Sequence, residues 1–270
     1  MSMIRTALVV QNCPANKFER NLTNTLKAVS KAVELKADIV VFPEMNLTGY
    51  ANGTTTNAIS LEPEWISKLT ELASLHDIAI LSGLVEQSHD NKIYATQLVF
   101  RPNLPPARYR KIHVSPFEAP HFCAGNSVRV FEFKGVKFGI QLCYDAHFPE
   151  LSTAMALKNT DIIFIPHASP RGDADQKFTS WMRHLPARAF DNGVFIAAVN
   201  QTGNNGAGLE FPGLALAIGP DGHLVSKKLS SRQTIHTVDM DMSALDRVRS
   251  HKMRYFLPNR RENLIKKEND

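Results

Sequence analysis

KAVELKADIVVFPE, Lys31 to Glu44, returns later in the chain as TAMALKNTDIIFIPH, Thr153 to His167, and each copy follows an apolar strand ending in Q-x-C, at Gln11–Cys13 and Gln141–Cys143. The chain therefore reads as two related halves. In the first, IRTALVVQN (4–12) has the character of a buried strand, and the segment Phe18 to Ala37 places Leu22, Leu26, Val29, Val33 and Leu35 at roughly helical spacing. DIVVFPE (38–44) follows as a second apolar strand whose end is marked by Pro43. A strand–helix–strand unit of this kind predicts neighbouring parallel strands. Beyond it come a helix over Pro63 to Leu75 and a hairpin of DIAILSGLVE and KIYATQLVF joined through QSHDN.

The second half is read the same way. VRVFEF and VKFGIQLC form a hairpin around Lys134 and Gly135, PELSTAMALKN is a helix, and TDIIFIPHASP is a strand and loop. A single helix is expected from Gln176 to Asp191, then strands in GVFIAAVNQTG, GLALAIGPDGHLVSKKLS and TIHTVDMD, with Pro-Asp-Gly as a tight turn. Between the halves, Arg108 to Asn126 has little periodicity, and a long irregular segment inside a compact domain is usually functional or disordered. Alternating strands and helices with several antiparallel pairings predict an α/β domain, its two-layer sheet core covered by helices.

Composition narrows the class. With 43% hydrophobic and 21% charged residues in 270, the chain is an ordinary globular protein with ample core. Residues 1–270 are taken as one domain, with 258–270 as a C-terminal tail. The longest apolar runs fall far short of the ~20 residues that span a membrane, and MSMIRTALVV lacks a full signal-peptide layout. No membrane association is expected, and the protein is expected to be cytoplasmic. The net charge of +5 is concentrated in places such as RYRK and RRENLIKKEND, without interleaved aromatics, so nucleic acid is not the expected partner. It suits solubility or an anionic small substrate equally. Three cysteines without C-x-x-C spacing, and histidines without an H-E-x-x-H pair, indicate neither a disulfide framework nor a metal site.

The chemistry is expected at GIQLCYDAHFPEL, Gly139 to Leu151, where a strand delivers Cys143 into a short polar elbow ahead of a helix start. Pro149 suits the first turn, where a missing N–H has no partner anyway, and Glu150 complements the positive helix end. Such a placement exposes a side chain above a sheet and brings backbone N–H groups to a reacting oxygen. It is also expected to favour the thiolate, the reactive form of a group with an ordinary pKa of ~8.5. A lone cysteine is otherwise a small core residue. Cys13, in the equivalent position, competes for the role but has no comparable elbow.

Companions change that balance. The ordered set F-P-E at Glu44, Y-R-K-I-H at Lys111, S-P-F-E at Glu118 and L-C-Y-D-x-x-F-P-E at Cys143 resembles the nitrilase, or carbon–nitrogen hydrolase, superfamily. The resemblance covers nearly the whole chain, including Gly125 and N-G-V-F-I-A-A-V-N-Q-T-G at 192–203. It implies a four-layer α-β-β-α sandwich with two pseudo-symmetric halves, homodimers or larger assemblies, and no metal or other cofactor. Carried onto this sequence, it implies Cys143 as nucleophile, Glu44 as general base and acid, and Lys111 as the cation that stabilises the oxyanion. The resemblance also implies Glu118 beside the lysine as a fourth active-site residue. Thiolate attack on an amide carbonyl requires these types: fixed positive charge plus an N–H, expected from Tyr144, for the oxyanion, and a carboxylate to move protons and activate water.

C-Y-D looks like the amidase branches, which makes hydrolysis of a small linear amide the first reading; an N-carbamoyl amide hydrolase or a nitrilase is the alternative. His147 stands where related amidases of carboxylate-bearing substrates often carry arginine. Tyr50, Tyr144, His147, His167, Ala168 and Ser169 are candidates to line the substrate pocket. Two other classes compete: a Cys–His hydrolase pairing Cys143 with His167, and a scaffold that keeps the fold without catalysis. The Cys–His reading predicts tolerance of Lys111→Met; the superfamily reading predicts near-complete loss of turnover in a folded protein.

Overall fold

In the computed structural model, which describes residues 3–51 and 55–261, the first half contains β1 (Met3–Val10), α1 (Phe18–Glu34), β2 (Ile39–Val41), α2 (Pro63–His76), β3 (Ala79–Gln87), β4 (Ile93–Phe100) and β5 (Ala107–Arg110). The second half starts with β6 (Val130–Phe133), β7 (Val136–Ile140), α3 (Pro149–Ala156), β8 (Ile162–His167), α4 (Ala174–Trp181) and α5 (Leu185–Asn192). It continues with β9 (Phe195–Asn200), a short ribbon of β10 (Gly203–Asn204) and β11 (Glu210–Phe211), then β12 (Leu214–Ile218), β13 (Leu224–Leu229), β14 (Thr234–Asp241) and α6 (Ser243–Arg249). Of the tail expected over 258–270, residues 262–270 lie outside the described residues.

Two six-stranded sheets result, ordered β14-β1-β2-β3-β4-β5 and β13-β12-β9-β8-β7-β6. Read from β14 and from β6 respectively, their pairings run in the same order: one antiparallel, two parallel, two antiparallel. The halves are thus topological repeats, with one exception in chain order. The strand that β6 supplies at the start of the second half is supplied to the first half by β14, from the far end of the chain.

Period-two alternation builds the layers. On β1, Ile4, Leu8 and Val10 join the core shared by the two sheets, whereas Ala7 and Val9 pack with Leu22, Val29 and Ala32 of α1 and with Trp65, Leu69 and Ala73 of α2. In the second sheet, Phe138 of β7 and Phe164 of β8 meet edge to face, their ring centroids 5.6 Å apart. Gly139 points the other way from Phe138, and an added Cβ there would stand 2.6 Å from Met155 Sδ, so its lack of a side chain lets α3 lie directly on β7. Helices outside, two sheets inside, is the α-β-β-α sandwich. Among the described residues no helix is long and apolar enough to cross a membrane.

The helix expected over Gln176–Asp191 is two helices, a correction with a clear cause. Pro186 has no N–H to donate into a continuing helix and disfavours helical geometry just before it, so the chain breaks after Trp181 and Pro186 occupies the first turn of α5. At the other end α4 begins at Ala174, because Asp173 and Gln176 form a reciprocal cap: Gln176 N–H donates to Asp173 Oδ1 at 2.8 Å and Asp173 N–H to Gln176 Oε1 at 3.1 Å. Both β5, which overlaps the start of the segment read as irregular, and α6 are absent from the sequence reading.

Candidate active site

Glu44 sits just past β2, in a turn that the buried Asn46 staples to β3: its Oδ1 accepts from Gly83 N–H at 2.7 Å and from Ser82 Oγ at 3.1 Å. Gln201 Nε2 donates to the Glu44 carbonyl at 2.8 Å from the second half. Lys111 follows β5, with its N–H bonded to Ala95 O at 2.9 Å and its carbonyl accepting from Gly125 N–H at 2.7 Å. Gly125 is required there, since a Cβ would collide with the Arg110 carbonyl. Glu118 occupies a tight turn closed by Ser115, whose N–H and Oγ both donate to Glu118 Oε2, at 3.1 and 2.8 Å.

These three side chains meet. The Lys111 ammonium donates to Glu44 Oε1 at 2.9 Å and to Glu118 Oε2 and Oε1 at 2.9 and 3.1 Å, with all three residues buried. Glu44's other oxygen, Oε2, accepts from the Ala168 N–H at 3.1 Å. Burial works to discharge Lys111, but the two carboxylates outweigh it and hold the ammonium well above the ordinary lysine range. For Glu44 burial is the larger influence: its carboxyl is pushed up to about 7, with Lys111 acting to lower it and Glu118 to raise it. One ammonium between two carboxylates carries an excess negative charge when both are ionised, and Glu44, with its carboxyl at about 7, is poised to exchange a proton near neutral pH.

Cys143 begins a one-turn 3-10 segment, Cys143–His147, separated from β7 by Gln141 and Leu142. Its φ is +42°, a left-handed conformation that a cysteine adopts only under constraint from its surroundings. The constraint is Asp145, fully buried two residues on. Its Oδ2 accepts from Leu142 N–H at 2.9 Å and from the Tyr109 hydroxyl at 2.8 Å, while its Oδ1 accepts from His113 N–H at 2.7 Å. One carboxylate thereby ties the cysteine's turn to the strand before Lys111 and the loop after it. Tyr144 is the second residue of the turn, where N–H groups lack helical partners and are free to meet a ligand.

The expected thiolate does not survive the structure. Cys143 is partly exposed as a residue, yet burial pushes its thiol up to about 12, with Glu44 and Glu118 adding to the rise and Lys111 opposing it. Burial at this elbow thus favours the neutral thiol over the thiolate. Cys13 is buried at the matching place in the first half, its Sγ 3.5 Å from the Gln11 carbonyl, and burial raises it further still.

Other candidates divide. Tyr50 is half-buried, and its phenol is held in the neutral direction by burial first, with Glu118, Glu44 and Cys143 adding to the effect and Lys111 opposing it. Ala168 contacts Glu44 through its N–H, and Ser169 is the next residue, fixed by Ser169 N–H to Asn200 Oδ1 at 2.9 Å and Asn200 Nδ2 to Ser169 O at 3.0 Å. His147 is exposed and packs by its ring against Tyr144 and His184, at 5.7 and 4.7 Å between centroids. His167 turns to the helix layer, stacked on Trp181 at 4.1 Å, and burial depresses its basicity well below the usual histidine range. Neither ring nitrogen has a hydrogen-bond partner among the described residues. No hydrogen bond joins His167 to Cys143 among the described residues. Among the described residues, no group of three His, Cys, Asp or Glu side chains is arranged to hold a metal ion.

Two residues escaped the sequence reading. Asp145 was legible only as part of C-Y-D. Lys177, on α4, is buried and donates to Ser169 Oγ at 2.6 Å; nothing in its surroundings in the sequence separates it from a surface lysine.

Comparison with known proteins places the family and the fold. An (R)-stereoselective amidase from a Pseudomonas species is 28% identical over 232 residues, 85% of this chain and 82% of that protein. A nitrilase from Pyrococcus abyssi is 27% identical over 266 residues, 96% of this chain and 98% of that protein. Among solved structures, a mutant of the amidase from Nesterenkonia sp. AN1, with the acetamide moiety of fluoroacetamide added covalently at its active-site cysteine, has a TM-score of 0.79 at 23% identity, covering 97% of this chain and 95% of that one. The family model for carbon–nitrogen hydrolases matches residues 5–250, nearly the whole of the two-sheet sandwich, and the chain belongs to that family.

Proposed function

We propose that this carbon–nitrogen hydrolase is an amidase that cleaves a small linear amide through a cysteinyl thioester. The observation that carries the reading is the Lys111 ammonium held by two buried carboxylates beside the cysteine's turn. Glu44, with its carboxyl near neutrality, takes the Cys143 proton as the sulfur attacks the carbonyl carbon. Negative charge then develops on the carbonyl oxygen, where the Lys111 ammonium and the Tyr144 N–H stabilise it. Collapse of the tetrahedral intermediate breaks the C–N bond, and Glu44 passes its proton to the departing nitrogen. Water, deprotonated by Glu44, attacks the thioester; the acid leaves and Cys143 recovers its proton. Glu118 holds the lysine in place throughout. The relatives named as amidases support this reading, and C-Y-D rather than the tryptophan and glutamate more usual in nitrilases favours amides over nitriles.

The same reading carries a homo-oligomer, for which exposed Phe190 and Phe256, 5.5 Å apart, offer apolar surface; sedimentation velocity tests it. The reaction is tested by ammonia release from a panel of amides, ureido compounds and nitriles, with Cys143→Ala alongside. Release from an amide that vanishes in the variant is expected. Release from nitriles or ureido compounds alone moves the chain to another branch, and silence across the panel favours a scaffold.

A further inference from the structure

Lys111 is balanced by two carboxylates, whereas the second buried lysine beside this site is balanced by none. Lys177 is 7% exposed, its ammonium donates to Ser169 Oγ at 2.6 Å, and among the described residues it forms no ion pair. A capped helix holds it: the Asp173–Gln176 reciprocal cap fixes the first turn of α4, from which Lys177 projects. On the far side Ser169 is clamped by both atoms of the Asn200 amide, and the residue before it, Ala168, holds Glu44 Oε2. The ammonium is thus joined to the catalytic carboxylate through two consecutive residues, and its charge is felt by Cys143.

The surroundings add more positive charge. Arg171, in the loop between Ser169 and α4, stands 5.6 Å over the ring of Phe117, the neighbour of Glu118, and acts electrostatically on Lys177. An ammonium has three donors, and Ser169 uses one. Burying a cation without a counter-charge is expensive, and an anionic ligand seated against it would offset that cost. An opposing influence is visible here: burial lowers the basicity of Lys177, and an anion docking against it reverses that effect.

We propose that Lys177 is the specificity-determining residue of this site, binding an anionic group, a carboxylate in the simplest case, carried by the substrate amide. This rests on the amidase reading for the reaction, though not for the cation. The favoured substrates are then monoamides of dicarboxylic acids or amides bearing a comparable acid, and the neutral amides of the same length are poorer.

Two measurements separate the cation from the reaction. The first needs no turnover: alkylation rates at Cys143 by anionic iodoacetate and neutral iodoacetamide are followed by peptide mass in the wild type, Lys177→Met, Lys177→Gln and Lys177→Arg, with Cys123 as internal reference. The iodoacetate-to-iodoacetamide ratio at Cys143 is expected to fall about tenfold in the Met and Gln variants and to recover with Arg, as loss of one charge-assisted contact implies. An unchanged ratio in both uncharged variants overturns the proposal. The second compares kcat/KM for succinamate and butyramide. A drop in the succinamate-to-butyramide ratio, arising in KM, supports the assignment, and equal losses on both substrates reduce Lys177 to a structural prop for Ser169. A labelling shift in a protein that hydrolyses no amide rejects the amidase reading while leaving the anion site standing.

Discussion

Glu44 and Cys143 are both held in the neutral direction by burial, and this sets the pH behaviour of the reaction. In the proposed mechanism the carboxylate form of Glu44 is the base, so kcat/KM for an amide is expected to rise tenfold per pH unit below about pH 7 and to level off above it, with no second limb from Cys143 until near pH 12. A rise centred near pH 4.5 instead removes Glu44 from the role. The same perturbation has a thermodynamic consequence. A carboxyl at about 7 in the folded state and near 4.5 in the unfolded state binds more protons when folded, so stability falls as pH rises between those values and is level outside them. Glu44→Gln keeps the shape and discards the charge. It is expected to abolish turnover yet to match or exceed the wild type in thermal stability at pH 8, by up to about 3 kcal/mol, with the advantage shrinking as pH approaches 4.5. Melting curves at pH 4.5, 6 and 8 check the trend.

The one-turn segment from Cys143 to His147 depends on a side chain rather than on helical bonding, and Asp145 is that side chain. Replacing it by alanine leaves the Tyr109 hydroxyl and two N–H groups without their acceptor in a buried place, each worth about 1–3 kcal/mol. Asp145→Ala is therefore expected to lose about 3 kcal/mol or more in urea unfolding, and Asp145→Asn, which retains one acceptor, to lose less while lowering kcat more than KM. Equal stability of Asp145→Ala and wild type refutes the tether. These links explain what was legible in the sequence. Glu44, Lys111, Glu118 and Cys143 carried recognisable neighbours on the chain, and the repeat of KAVELKADIVVFPE in TAMALKNTDIIFIPH foretold two equivalent sheets. Asp145 carried no such signal, because its importance lies in three partners up to 36 residues away. Lys177 became notable only through what fails to stand next to it. The thiolate expectation read the turn correctly but not the burial around it, and the helix over Gln176–Asp191 overlooked what Pro186 does to the turn before it.

At the scale of the molecule, the groups proposed to act together are split between halves: Glu44, Lys111 and Glu118 arise before β6, Cys143 after β7. What keeps them together is the face shared by the sheets, with Ile4, Leu8 and Ile39 from one and Phe138, Phe164 and Val199 from the other in a single core. The chain itself reinforces this union, since β14 leaves the second half to pair along all eight residues of β1. Neither half can bury its inner sheet face alone, and without β14 the first half presents β1 as a bare apolar edge. One cooperative unfolding transition is the consequence, and the two tryptophans are placed to read it. Trp65 packs α2 against the first sheet and Trp181 lies on α4 over the second. With Trp65→Phe reporting the second half and Trp181→Phe the first, the fluorescence transition in each variant is expected to coincide with that variant's own far-ultraviolet circular dichroism transition. Two separated steps, with Trp65 and Trp181 reporting different ones, reject the shared face as the bond between the halves. A chain ending at Gln233 sharpens the test, because it retains both tryptophans and lacks only β14 and the residues beyond it; it is expected to be recovered as aggregate or to lack the cooperative transition.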